Sequence, residues 1–378
     1  MQFSLSADEQ DLRSSLRGFL ATLVTAADHE RICASEDGFD RDVWKRLASQ
    51  GWLDLHSMSA EADGSAWPVA GVIMAEEYGR VPVPAPVELV AGFLLPLLDR
   101  LAPGSFGLDH ADDAFVDGVP AVSVTSLAGL VYPGQEPPAA GLVAEERGSL
   151  VLLSGELATV QFAGSASSLF VPVELSGGWA LARVDLTADG VQLERVTTVD
   201  PGRRSAHVTL AAVEVGPEDL VRQAADGSPL TGPLTDAFLS YLLFLDGKAV
   251  GACEVLLERT VAYVCDREQF GVPIGSFQAV KHKVADMATA IESSRSLASY
   301  TAWQVSRGDT DAAEAVLASR LHCADAYRRV CELAIQCHGG MGFTWEVGLH
   351  VWYRSATYDA AVAGLTMADL ARVLGGAA

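Results

Sequence analysis

The chain has 378 residues, of which 49% are hydrophobic and 20% charged, a profile that belongs to a folded globular protein and excludes wholesale disorder. Lys plus Arg is 26 against 49 Asp plus Glu, a net charge of -23, so phosphate backbones and anionic lipid surfaces are repelled and neither nucleic acid nor membrane is expected as a partner. At roughly 100–200 residues per domain, the length holds about two or three domains.

Residues 1–118 are predicted to form an N-terminal helical domain. Met1 to Ser6 has neither the basic nor the apolar segment of a signal peptide. Ser6-Ala7-Asp8-Glu9 has the capping residue and early acids of a helix start. Val43, Leu47 and Gly51-Trp52-Leu53 suggest a helix stopped at glycine. Another ends in Glu76-Glu77-Tyr78-Gly79-Arg80, because Pro82, Pro84 and Pro86 forbid its continuation. The apolar run Leu89 to Leu98 is too short to span a bilayer and contains Pro96.

Residues 119–228 change character. β-Branched runs at Ala121–Thr125, Leu150–Leu153, Leu169–Val173 and Val208–Val215 alternate with Gly, Pro and Asp turns, which predicts a mostly antiparallel β domain. Residues 229–378 return to helix. Phe238, Leu242, Leu245, Ala249, Ala252 and Leu256 form one face of a long helix. Gly247 and Gly251 in that helix are expected to permit close packing. Phe277, Val280, Val284, Met287 and Ile291 repeat the pattern in a second helix, and a third runs from Asp311 to Cys337 before Gly339-Gly340. The six cysteines form no C-x-x-C pair and no zinc spacing. They are expected to be free buried thiols, which suits a reducing cytoplasm.

Two segments carry chemistry. In Arg267-Glu268-Gln269-Phe270-Gly271-Val272-Pro273-Ile274-Gly275-Ser276-Phe277-Gln278, a guanidinium precedes a Gly/Pro turn and can fork onto a pyrophosphate. A nearby aromatic can stack on a base, and Gln278 offers both a donor and an acceptor. The alternative is an ordinary helix–helix turn with Phe270 and Phe277 in the core. In Gln336-Cys337-His338-Gly339-Gly340-Met341-Gly342-Phe343-Thr344, closely spaced glycines let a ligand or another backbone approach; the alternative is a glycine helix stop. His338 has no metal partner at ligand spacing and is expected to be structural.

These motifs, in this order, together with Gly51-Trp52-Leu53 and Glu77-Tyr78-Gly79-Arg80, resemble the acyl-CoA dehydrogenase family over the whole chain. The resemblance implies an α+β architecture of N-terminal helical domain, middle β domain and C-terminal four-helix bundle. It implies FAD, a CoA thioester substrate and a dimer of dimers. In that family the two motifs hold the ADP arm of the FAD bound mainly by the neighbouring subunit. Carried over, Arg267 meets the pyrophosphate, Phe270 packs near the adenine end, and Gln269 and Gln278 lie along the same arm. Gln336, Gly339 and Gly340 line it.

The chain departs from the family at the catalytic base. The register of the usual glutamate, counted from Gln336 and supported by Arg354, falls on Ala363 in Val362-Ala363-Gly364-Leu365. The second position used in the family, on the long helix before Arg267, falls on Tyr241; a phenol of ordinary pKa near 10 is a poor base at neutral pH. Asp246 and Asp359 are the nearest acids and are expected to be solvated helix charges. In the β domain, Thr125-Ser126-Leu127-Ala128-Gly129 and Thr159-Val160-Gln161 replace the segments that face the flavin ring in the family. The losses fall on this subunit's own ring site, while the arm that reaches a neighbour's flavin is kept.

That pattern resembles the base-lacking subunit of actinobacterial heterotetrameric (α2β2) steroid-CoA dehydrogenases. It implies a non-catalytic subunit that shares FAD with a catalytic acyl-CoA dehydrogenase chain. The partner then binds most of the acyl-CoA, by analogy a steroid side-chain thioester, and an electron-transfer flavoprotein is the expected acceptor. Two other readings stand beside it: a self-sufficient homo-oligomeric enzyme with a displaced base, Asp359 or Asp246, and a flavin-free scaffold of the same fold.

Overall fold

The computed structural model describes residues 5–51, 53, 67–108, 120–124, 127 and 141–362. Its contacts divide the chain into two compact units. One gathers described residues of 31–64 and 84–241. It contains helix α3 (Arg41–Ala48), where the Asp42 and Val43 amides donate to the Asp40 side chain, and the last four residues of α2 (Ala26–Ala34). It also contains a helical run, residues 87–98, here α5, whose central turn Val90–Leu94 is π-helical. Sequence reading passed over α2 and saw α5 only as an apolar run.

The β portion of this unit has two four-stranded sheets. The first has the order β1 (Pro120–Val122), β4 (Ser168–Leu175), β5 (Gly178–Asp185), β8 (Leu220–Val221). The second has the order β2 (Leu142–Arg147), β3 (Leu150–Gln161), β7 (Ser205–Val215), β6 (Val191–Val196). Every pairing is antiparallel except that of β1 with β4. Three of the four β-branched runs expected from sequence fall on strands throughout, β3, β4 and β7; of Ala121–Thr125 only Ala121 and Val122 lie on β1, and Thr125 is outside the described residues. Val151, Leu153, Val208 and Leu210 of one sheet share a single core with Leu169, Val171, Ala182 and Val184 of the other, the packing that two half-buried sheets require.

The other unit is helical. It gathers described residues of 1–30, 65–83 and 242–370. Helix α1 (Ala7–Leu20) starts at Ser6, whose hydroxyl accepts from the Glu9 amide while the Glu9 carboxylate accepts from the Ser6 amide, a reciprocal capping box. Helix α4 (Trp67–Gly79) follows. The bundle proper is built from α6 (Thr231–Asp266), of which Leu242 onward lies in this unit, α7 (Gln278–Ser306), α8 (Ala312–His338) and α9 (His350–Val362). The apolar face of α6 read from the sequence is buried throughout, and so are Leu243, Phe244, Val250 and Cys253 on its other sides. The helix is therefore central rather than one-faced.

The α6 glycines have the packing role expected of them. A Cβ on Gly251 would sit 1.6 Å from the Glu76 carbonyl oxygen, and one on Gly247 would sit 2.6 Å from that of Val72. Gly79 answers from α4, where a Cβ would sit 2.0 Å from the Lys248 carbonyl oxygen. The two helices cross backbone against backbone. Among the described residues no helix is long and apolar enough to cross a membrane.

Candidate cofactor-arm site at one end of the helical bundle

Helix α6 stops at Asp266, and a small hairpin reverses the chain before α7. The Arg267 amide donates to the Tyr263 carbonyl at 2.8 Å, and the Ile274 amide donates to the Arg267 carbonyl at 2.8 Å. Between them β9 (Glu268–Gln269) pairs antiparallel with β10 (Val272–Pro273). The turn residues Phe270 and Gly271 both have positive φ, 56° and 79°, as a two-residue hairpin turn demands. Gly275 lets the returning strand lie on α6, since a Cβ there would come within 3.0 Å of the Val264 carbonyl oxygen.

Phe270 is 92% exposed and meets Phe277, itself 38% exposed, edge-on at 6.3 Å between ring centroids. The core alternative for these two aromatics is thereby overturned. A phenylalanine held in water at a left-handed backbone angle carries both a solvation and a conformational cost. Phe277 precedes α7 rather than joining its face, so the buried stripe of that helix begins at Met287 and Ile291.

The second motif closes α8. Gly339 caps it at φ 60°, ψ -136°, a conformation that L side chains rarely adopt. A Cβ on Gly342 would lie 2.6 Å from the Ile335 carbonyl oxygen. The His338 ring stacks on Tyr263 at 4.2 Å, and its Nδ1 lies 2.8 Å from the Ala334 carbonyl oxygen. Burial pushes its pKa down, which leaves a neutral, structural imidazole, as expected. The Tyr263 hydroxyl donates to the His338 carbonyl at 3.4 Å. This contact ties the end of α6 to the end of α8. Arg267, Gln269, Phe270, Gln278, Gln336, Gly339 and Gly340 therefore come to one end of the bundle, and all are exposed.

Their side chains differ in availability. Gln269 donates to the Glu268 carbonyl at 2.8 Å, so its amide is partly committed to its own hairpin. Arg267, Gln278 and Gln336 make no side-chain hydrogen bond or ion pair among the described residues. Met341, Phe343 and Trp345 continue the exposed apolar surface beyond the glycines. Sequence reading did not single out these three, because exposure of a nonpolar side chain leaves no mark in local spacing.

The acids near the family's base positions have different surroundings from those expected. Asp246 is fully buried; its carboxylate accepts from Ser319 Oγ at 2.6 Å and from Arg320 at 2.9 Å. Burial pushes its pKa up to about 6 against the pull of Arg320, so it remains a carboxylate at neutral pH. Asp359 is buried too and accepts from Lys248 Nζ at 2.6 Å. Neither is the solvated charge predicted from sequence. Tyr241 is buried. Ala363, Trp52 and all of Thr125-Ser126-Leu127-Ala128-Gly129 except Leu127 lie outside the described residues.

In the β unit, β3 shifts register against β7 between Leu153 and Gly155 and again between Leu157 and Val160. Thr159 is exposed, whereas Gln161 is buried with its Oε1 lacking a hydrogen-bond partner among the described residues. Phe162 follows at φ 58° and packs into the core, edge-on to Phe39 at 5.9 Å.

A further set of functional-looking groups proves to be structural. Four guanidiniums (Arg13, Arg17, Arg80, Arg295) interlock with four carboxylates (Glu76, Glu77, Glu254, Glu258) on α1, α4, α6 and α7. Burial raises the pKa of Glu76, opposed by Arg13 and Arg295. The signal was present in the sequence as two adjacent acids inside an otherwise apolar helix, which must find cations elsewhere.

Comparison with known proteins addresses the family of the chain. Residues 6–100 match the acyl-CoA dehydrogenase N-terminal domain, and residues 245–373 match the acyl-CoA dehydrogenase C-terminal domain. Acyl-CoA dehydrogenase IpdE2 of Mycobacterium tuberculosis is 26% identical over 350 residues, 92% of this chain and 91% of that protein. Among solved structures, the ChsE4-ChsE5 complex from Mycobacterium tuberculosis superposes with a TM-score of 0.82 at 23% identity, covering 99% of this chain and 98% of that one. The Tcur3481-Tcur3483 steroid ACAD gives 0.78 at 24% identity, covering 98% and 99%. Helices, then a β domain, then a helical bundle, with both domain models in register, place this chain in the acyl-CoA dehydrogenase family.

Proposed function

We propose that this chain is the base-lacking subunit of a hetero-oligomeric, FAD-dependent acyl-CoA dehydrogenase, and that it completes the FAD site of a catalytic partner chain. The observation that carries this reading is the set at the bundle's end: one guanidinium and two amides without partners among the described residues, a glycine backbone and an exposed phenylalanine. That donor set fits the ADP arm of a dinucleotide. A guanidinium takes the pyrophosphate, amides take its oxygens or the base edge, and an aromatic ring stacks on the adenine. The groups face outward, where a neighbouring chain presents its cofactor.

FAD, which the family uses, supplies the hydride acceptor for α,β-dehydrogenation of an acyl-CoA. Removal of the α-proton needs a positioned base. Here the family's two base registers hold Ala363 and Tyr241, and the nearest acids, Asp246 and Asp359, are engaged in buried ion pairs. This supports a division of labour in which the partner supplies the base and the thioester site. Likeness to the ChsE4-ChsE5 complex and to a steroid ACAD supports a heteromeric assembly acting on a steroid-CoA; the heterotetramer, the side-chain thioester and an electron-transfer flavoprotein as acceptor come from the family resemblance. A cytoplasmic location fits the same reading.

The test is flavin per chain, read from visible absorbance for the protein alone and for the protein co-expressed with a catalytic chain. The expected result is a colourless lone protein and one FAD per heterodimer. One FAD per chain in the lone protein refutes the split site. Within the complex, Arg267→Ala is expected to weaken FAD retention by ~1.5–3 kcal/mol, the worth of a charge-assisted contact.

A further inference from the structure

A cavity of about 440 Å³ opens in the helical unit beside α1, α4, α6 and α9, and none of the cofactor-arm residues lines it. Two of its three arginines, Arg17 and Arg80, belong to the balanced lattice of four guanidiniums and four carboxylates. The third, Arg259, stands outside that lattice. It makes no ion pair among the described residues. Its guanidinium donates to the Val347 carbonyl and lies over the Trp352 ring, 5.3 Å from the centroid. Burial lowers its pKa, and no carboxylate opposes that effect. A half-buried cation with most of its five donors unused is a costly arrangement unless an anion arrives. The walls beside it are apolar, from Val24, Val81, Pro82, Val255 and Trp352.

The geometry points to a binding site for a small organic carboxylate, with the carboxylate on Arg259 and the apolar body against Trp352, Val255 and Pro82. A single uncompensated positive charge calls for a monoanion. A phosphate dianion would bring a second charge into a neighbourhood already holding Glu77 and Glu254. The Trp352 ring is fixed for the purpose: its indole N–H donates to the Gly79 carbonyl at 3.1 Å, so its face toward Arg259 does not turn away.

The experiment is calorimetric titration of the full chain with cyclohexanecarboxylate, with cyclohexanol and inorganic phosphate as controls. The carboxylate is expected to bind and the controls are not. Arg259→Gln is expected to weaken binding at least tenfold, or ~1.4 kcal/mol. Ala21→Trp, which fills the cavity from its rim and leaves Arg259 in place, is expected to abolish binding. The second variant decides the matter if the first does not fold. Absence of binding by the wild type at millimolar ligand, or unchanged binding by either folded variant, overturns the assignment.

Discussion

Replacing Arg320 with methionine separates a structural Asp246 from a displaced base. The substitution keeps most of the side-chain volume and deletes the cation 2.9 Å from a carboxylate with no exposure. Ser319 alone then remains to satisfy that carboxylate. Removing one partner of a buried pair costs ~3–5 kcal/mol, and for a cooperative unit of this size roughly 2–4 °C accompanies each kcal/mol. The expected fall in Tm at pH 8 is therefore ~6–20 °C. The pH dependence is the sharper reading. With Arg320 present, burial already holds Asp246 at about 6, above its ordinary 3.8; without Arg320 it moves higher. Between pH 8 and pH 6 the folded variant then takes up a proton that its unfolded state does not, while the wild type, with Asp246 at about 6, begins to take one up only toward the lower end of that range. Its stability rises as pH falls through that window, at ~1.36 kcal/mol per unit of added shift. Melting curves by circular dichroism at pH 6, 7 and 8 measure the gap between the two proteins. A gap that is widest at pH 8 and narrows at pH 6 is expected, and Asp246→Asn in the same chain should flatten it. A gap that stays constant with pH, or that is below 1 kcal/mol, refutes the pairing.

Other outcomes follow from the same geometry. Gly251→Ala forces α4 and α6 apart, because the new methyl group meets backbone rather than a flexible side chain; a loss of at least ~1–3 kcal/mol in urea denaturation is expected. Phe270→Ser leaves the stability of the lone chain within ~0.5 kcal/mol, as exposed positions do, while the flavin content of the co-expressed complex falls. Ala363→Glu in the lone chain gives no turnover in a dye-reduction assay, since Thr159 and Gln161 also depart from the flavin-facing pattern; robust turnover would contradict a degraded ring site. Arg80→Met, which breaks contacts of 2.5 and 2.6 Å to Glu254 and Glu258, lowers Tm more in low salt than in high salt, because the outer pair is partly exposed and screened.

Much of this molecule was legible in its sequence, for identifiable reasons. The capping box at Ser6, the proline stop after Gly79 and the glycine cap at Gly339 are local devices whose chemistry needs no distant partner. The turns at Arg267–Gln278 and Gln336–Thr344 were legible as well, because their glycines and prolines constrain the backbone over a few residues. What stayed hidden depends on residues far apart in the chain. Asp246 and Asp359 read as solvated charges because their partners, Arg320 and Lys248, lie 74 and 111 residues away. Nothing in the local sequence sets Arg259 apart; only the packing of α9 shows that its guanidinium lies over an indole. For Phe270 the sequence left core burial open beside the cofactor-arm role, because a phenylalanine at a helix–helix turn is usually buried, and only the structure shows it exposed.

The exposed tip of the β9–β10 hairpin has a consequence for the cell rather than for catalysis. A copy of this chain without a neighbour over Phe270, Phe343 and Trp345 carries a ridge of bare aromatic rings into a crowded, concentrated solution, where such rings find one another. Its high negative charge keeps copies apart at a distance but does nothing at the tip itself. On the proposed reading, in which a partner chain covers these rings, copies made in excess of that partner are expected to associate through them, so the yield of soluble lone chain should rise when Phe270 is replaced by Ser.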